Sequence, residues 1–94
     1  MSRLARVAED LSEWKKKVES AGRKLLVRDC DGSVNEFDRI DYDPRWKVIV
    51  IRYRKDRMNL ETSVDEDSLL TLKKNSTYWR MIDNDGEPLM IYES

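Results

Sequence analysis

The sequence predicts an α+β fold, with an N-terminal amphipathic helix packed on a curled, mostly antiparallel sheet of about five or six strands. Three observations carry this. Apolar residues recur at three- and four-residue steps before Gly22 and at two-residue steps after it. Turn-forming pairs, Asp31-Gly32, Asp43-Pro44 and Asp85-Gly86, punctuate the second region at hairpin spacing. A length of 94 residues with 3 Gly and 2 Pro suits a single domain, 1–94, without a low-complexity linker.

Taken in order, Leu4, Val7, Ala8, Leu11, Trp14, Val18 and Ala21 fall on one face of a helix over 3–21. Ser2 is placed to cap it and Gly22 to end it, while Lys15, Lys16 and Lys17 follow Glu9 and Asp10 in the order the helix dipole favours. Trp14 is the expected anchor on the sheet. Residues 24–30 form the first strand, and Asp31-Gly32 suits a tight type I′ turn into a second strand, 33–42. Val34, Ile40 and Tyr42 share a parity that Phe37 breaks, so a β-bulge near Glu36 is expected.

Residues 46–54 are the strongest strand signal. Trp46, Val48 and Val50 alternate with Ile49, Ile51 and Tyr53, which predicts a central strand buried on both faces, with Trp46 in the core. Met58, Leu60, Thr62 and Val64 give its hairpin partner, 58–64, and Asp65 to Lys74 reads as a short helical turn over about 66–73, with a strand as the alternative. A last hairpin pairs 77–82 with 88–92 across Asp83-Asn84-Asp85-Gly86. The strand lengths favour a small barrel of the SH3 or Sm type, with an open sheet under a helix as the near alternative.

Composition excludes more than it selects. No apolar run approaches the ~18 residues of a membrane span, and Arg3 and Arg6 are not followed by the apolar stretch of a signal peptide. Cys30 is the lone cysteine, which fits a reducing compartment, and the expected location is the cytoplasm. With no histidine, an unactivated Cys30 and glycines scattered at 22, 32 and 86, the common catalytic and phosphate-loop inventories are missing. A carboxylate-only enzyme would need a substrate pocket that 94 residues hardly provide, so the expectation is no enzyme and no cofactor. The repeated Asp-x-Asp-Gly, at 29–32 and 83–86, resembles the start of a calcium loop, but the first ligand position would fall on Val27 or Met81, which cannot ligate. Turn chemistry alone selects the same residues.

Charge is segregated along the chain although the net charge is only −1. Residues 1–28 hold 8 basic against 4 acidic residues, 29–43 hold 1 against 6, 44–58 hold 6 against 1, and 59–94 hold 3 against 8. The basic block surrounds the hairpin 45–57, with Trp46 and Tyr53 interleaved. This leads to a non-enzymatic, protein-binding accessory or inhibitor module acting on a larger protein or nucleoprotein machine through Arg52, Tyr53, Arg54, Lys55 and Arg57, with Trp79 and Tyr92 as further aromatic contacts. A short, densely charged chain without catalytic inventory matches regulators of phages and mobile elements, by association only. The alternative is a nucleic-acid-binding barrel using the same hairpin, against which the pI of about 5.5 counts. A purely structural reading is that acidic and basic strands pair with each other across the sheet. Homo-oligomerisation is a further way for so small a chain to bury surface.

Overall fold

The computed structural model describes residues Ser2–Ser94. Helix α1 spans Arg3–Ser20 and is followed by β1 (Leu25–Arg28), β2 (Val34–Asp43), β3 (Val48–Lys55), β4 (Met58–Asp65), α2 (Glu66–Leu69), β5 (Lys73–Lys74), β6 (Tyr78–Ile82) and β7 (Pro88–Glu93). The class is α+β, as the periodicity required. Ser2 Oγ accepts from the Ala5 N–H at 3.0 Å, which satisfies one of the unpaired donors of the first turn. At the other end the Gly22 and Arg23 N–H groups bond to the Glu19 and Val18 carbonyls, a Schellman closure.

The seven strands form one antiparallel sheet in the order β4-β3-β2-β1-β7-β6-β5. The chain walks outward from β1 to β4 by hairpins, then crosses through α2 and returns to the opposite flank, where β7 docks on β1. That docking pairs Leu25 with Glu93 and Arg28 with Met90, and the Ser94 N–H bonds to the Lys24 carbonyl at 2.9 Å. Helix α1 lies against β1, β2 and β3, with Leu4, Leu11 and Val18 against the inner residues Val27, Ile49, Ile51 and Ile91. Each of these is at most 2 % exposed, and burial of one such side chain stabilises the fold by about 1.5–3 kcal/mol before chain entropy is set against it.

The ring does not close, so the barrel expectation is corrected to an open, curled sheet. A closed barrel would need β4 to pair with the opposite edge. That edge is β5, only two residues long, and α2 packs between β4 and β6 with Leu69 fully buried. Hydrogen bonds from the β6–β7 turn join the two flanks instead. Thr62 Oγ1 donates to Asp83 at 2.6 Å, the Asn84 N–H donates to the Ser63 carbonyl at 2.9 Å, and the Asp65 N–H donates to Asn84 Oδ1 at 2.8 Å.

Several local expectations shift. The bulge exists, but the register breaks between Phe37 and Arg39, which brings Phe37 and Ile40 to the same buried side. The first hairpin uses a five-residue loop, not a type I′ pair, because β1 already ends at Arg28, opposite Val34. Both Asp-x-Asp-Gly copies build the same turn. The glycine N–H bonds to the carbonyl of the first aspartate at 3.0 Å in each, with Gly32 at φ 81° and Gly86 at φ 78°, a conformation that penalises a Cβ. The turn ending the helical segment is shorter than 66–73, since Lys73 and Lys74 pair with Arg80 and Trp79. Trp46 leaves the core altogether. It sits in the β2–β3 turn, 72 % exposed, because β3 begins only at Val48 and no second layer covers the outer face of that strand.

Candidate functional site

Two of the six cations of the basic hairpin, Arg52 and Lys55, are paired with carboxylates of neighbouring segments, whereas Arg45, Lys47, Arg54 and Arg57 are in no ion pair among the described residues. Antiparallel pairing sets Asp41 opposite Val50 and Glu61 opposite Arg52 on the outer face. The Arg52 guanidinium bonds to the Asp41 carboxylate and, at 3.3 Å, to Glu61. Lys55 pairs with Asp31 and reaches Asp29 at 4.0 Å. Arg54 is exposed opposite Glu36, itself paired with Lys24 at 3.7 Å, and Arg57 is exposed in the β3–β4 turn. Tyr53 is only 8 % exposed and belongs to the core, since its parity follows Ile49 and Ile51. Trp79 is likewise buried, at 6 % exposure, and stacks on Trp14 with ring centroids 5.7 Å apart. Neither ring is presented at the surface, so their assignment as surface contacts is withdrawn. Tyr92 is half-buried on the outer face.

The Lys55–Asp31 contact has a pH signature. The Asp29 carboxyl, then the Lys55 ammonium and Ser33, hold the Asp31 carboxyl well below the usual carboxylate range. A depressed folded-state pKa contributes stability that is present above the unfolded value, near 3.8, and is lost as pH falls through the lower folded value. The expected result is an Asp31 carboxyl carbon whose NMR titration midpoint lies below those of exposed aspartates and rises in Lys55→Met. An unchanged midpoint in that variant would remove Lys55 as a cause. The same contact raises the Lys55 ammonium, so its contribution holds below the unfolded value and fades as pH rises through the folded one. At Cys30, partial desolvation, then Glu87 and Asp29, push the thiol up, the opposite of an activated nucleophile.

A second group of unpaired cations lies among exposed apolar and aromatic side chains, on the outer face of β1, β7, β6 and β5. Strict alternation puts Val27, Ile91, Trp79 and Met81 inside, so Arg28, Met90, Tyr92, Tyr78, Arg80 and Ile82 face out. Register aligns them in rows. One row runs Leu26, Tyr92, Tyr78; the next runs Val34, Arg28, Met90, Arg80, Lys73 across five strands. The Arg28 guanidinium lies 5.8 Å from the Tyr92 ring centroid and that of Arg80 lies 5.9 Å from Tyr78. Arg28, Lys73 and Arg80 are exposed and have no ion pair among the described residues. Beside them a groove of about 400 Å³ runs between Lys73, Arg80, Ile82, Pro88 and Met90, its walls mainly apolar.

Of the residues singled out from sequence, only Tyr92 lies on this patch. Arg28, Lys73, Tyr78, Arg80, Ile82 and Met90 were missed. One signal was available. The acidic residues of 77–92 sit in the turn 83–87, whereas the outward parity of the two strands carries only Tyr78, Arg80, Ile82, Pro88, Met90 and Tyr92. Comparison with models of known families, with curated proteins and with solved structures finds no match.

Proposed function

We propose that the chain is a non-enzymatic protein-binding module, an accessory or inhibitory subunit, that engages its partner through the outer face of β1, β7 and β6. One observation supports this above the rest: Arg28 and Arg80, neither in an ion pair, flank Met90 in a single row beside an apolar groove, whereas in the basic hairpin Arg52 and Lys55 are already paired and the unpaired Arg54 and Arg57 adjoin no such groove. Arginine, tyrosine and methionine are the side chains enriched at protein interfaces, and the adjoining apolar groove is the part a protein partner would desolvate. Single-stranded nucleic acid is the second reading, favoured by Tyr78 and Tyr92 standing side by side within reach of arginines. The net charge of −1 weighs against long-range attraction to a polyanion.

The test is capture from a lysate on the immobilised chain after nuclease treatment, comparing wild type, Arg28→Glu/Arg80→Glu and Arg57→Glu. The expected result is a stoichiometric protein retained by wild type and Arg57→Glu and lost with the double reversal, each central arginine contributing about 2 kcal/mol, roughly 30-fold in affinity. Retention by the double variant would refute this surface. Recovery that vanishes with nuclease would favour nucleic acid.

A further inference from the structure

We propose that the groove between Lys73, Arg80, Ile82, Pro88 and Met90 takes an extended acidic segment of the partner protein, one apolar side chain of which seats against Ile82, Pro88 and Met90. This rests on the protein-binding reading above and names what that surface recognises. Charge complementarity selects the occupant. Lys73 and Arg80 stand on the groove, Arg28 stands two strands away in the same row, and no carboxylate lines it. A basic or neutral segment would leave these cations unmatched, while each carboxylate brought to them gains a charge-assisted hydrogen bond. Apolar surface adds the second requirement. Ile82 is 42 % exposed, unusual for isoleucine, and Pro88 faces it directly across β6 and β7.

Spacing narrows the segment further. Neighbouring strands lie about 4.8 Å apart, so Arg28 and Arg80, separated by β7, emerge roughly 10 Å from each other. An extended chain advances about 3.3 Å per residue, which places carboxylates two or three residues apart over the two guanidinium groups. The segment therefore crosses the strands, acidic residues flanking its apolar anchor. The opposite half of the outer face offers no such match: there Asp41, Asp43, Glu61 and Asp65 share the surface of β2, β3 and β4 with Arg39, Arg52 and Arg54, and Arg39 and Arg52 are already paired with Asp41 and Glu61.

The probe is a fluorescein-labelled peptide, Gly-Asp-Glu-Phe-Glu-Asp-Gly, titrated against the whole chain by fluorescence anisotropy. Three competitors accompany it: the same peptide with Gly for Phe, the same peptide with Asn and Gln for the acids, and a short oligothymidine. The acidic phenylalanine peptide should bind saturably and at least about ten-fold more tightly than either altered peptide. Amide shifts should concentrate at Lys73, Arg80, Ile82 and Met90, and Arg80→Glu and Ile82→Asp should each weaken binding about ten-fold or more. Both positions are solvent-facing, and unchanged thermal melts would show that these variants remain folded. Absence of saturable binding, equal affinity for the neutral peptide, or preference for oligothymidine would overturn the proposal. So would concentration-dependent self-association that the same two variants abolish, since the occupant would then be a second copy. If lysate capture is lost with Arg28→Glu/Arg80→Glu yet no peptide binds, this inference fails and the broader reading stands. If capture ignores that double variant, both fail.

Discussion

Trp79→Ala is expected to cost about 3–5 kcal/mol, a large part of the ~5–15 kcal/mol that holds a domain folded. The ring is 6 % exposed on the inner side of β6, opposite Ile91. It stacks on Trp14 at 5.7 Å with 18° between the planes, and the Lys74 ammonium lies 4.9 Å from its centroid. Trp14 in turn donates its indole N–H to Glu93 at 3.1 Å. This pair is the junction between the helix and the C-terminal hairpin, so its loss leaves a cavity and loosens β6 and β7 together. Urea denaturation followed by circular dichroism should show a much lower midpoint, with Trp79→Phe losing less. A double-mutant cycle with Trp14→Ala should return about 0.5–1.5 kcal/mol of coupling. A loss below about 1 kcal/mol for Trp79→Ala would contradict this packing.

Asp83→Ala is expected to cost about 2–3 kcal/mol, because one carboxylate satisfies three donors on two flanks of the sheet. It accepts from Thr62 Oγ1 at 2.6 Å and from the N–H groups of Asp85 and Glu87, both at 3.0 Å. The residue is 8 % exposed, so water cannot readily replace it. Truncation would leave the Asp85 and Glu87 N–H groups without their acceptor and remove the Thr62 link between that turn and β4, so that only the Asn84 bonds to Ser63 and Asp65 remain. Asp83→Asn should recover part of the loss through its amide oxygen, and Thr62→Ala should show a smaller effect. Hydrogen exchange reads the consequence directly: protection should fall in β4 and at the Asp85 and Glu87 amides more than in β1 and β2. Uniform exchange at wild-type stability would show that the carboxylate does not tie the flanks.

The helix was legible in the sequence down to its cap, since Ser2 and the Leu4–Val18 stripe act through bonds and contacts within a few residues of one another. The strands β2, β3, β4, β6 and β7 were legible for the same reason, as was the bulge that reconciles Phe37 with Ile40. Trp46 was misplaced because β3 begins only at Val48, and Tyr53 and Trp79 because alternation assigns opposite faces without saying which is covered. The candidate surface was hidden more deeply. Arg28, Met90, Arg80 and Lys73 come from four strands, and alternation within one strand is silent about which strand lies beside it.

By itself, then, the sequence determined the class, the helix, the main hairpins and the absence of histidine, all consequences of short-range pattern and composition. Tertiary structure alone decided that β7 joins β1 and that α2 stands where a barrel would have closed. It also decided which charges cancel. Register puts Asp41 and Glu61 against Arg52, and Asp31 against Lys55, while leaving Arg28 and Arg80 beside Met90 in no ion pair. Neutralisation depends on distances of a few ångströms between residues far apart in the chain, and only folding sets those distances.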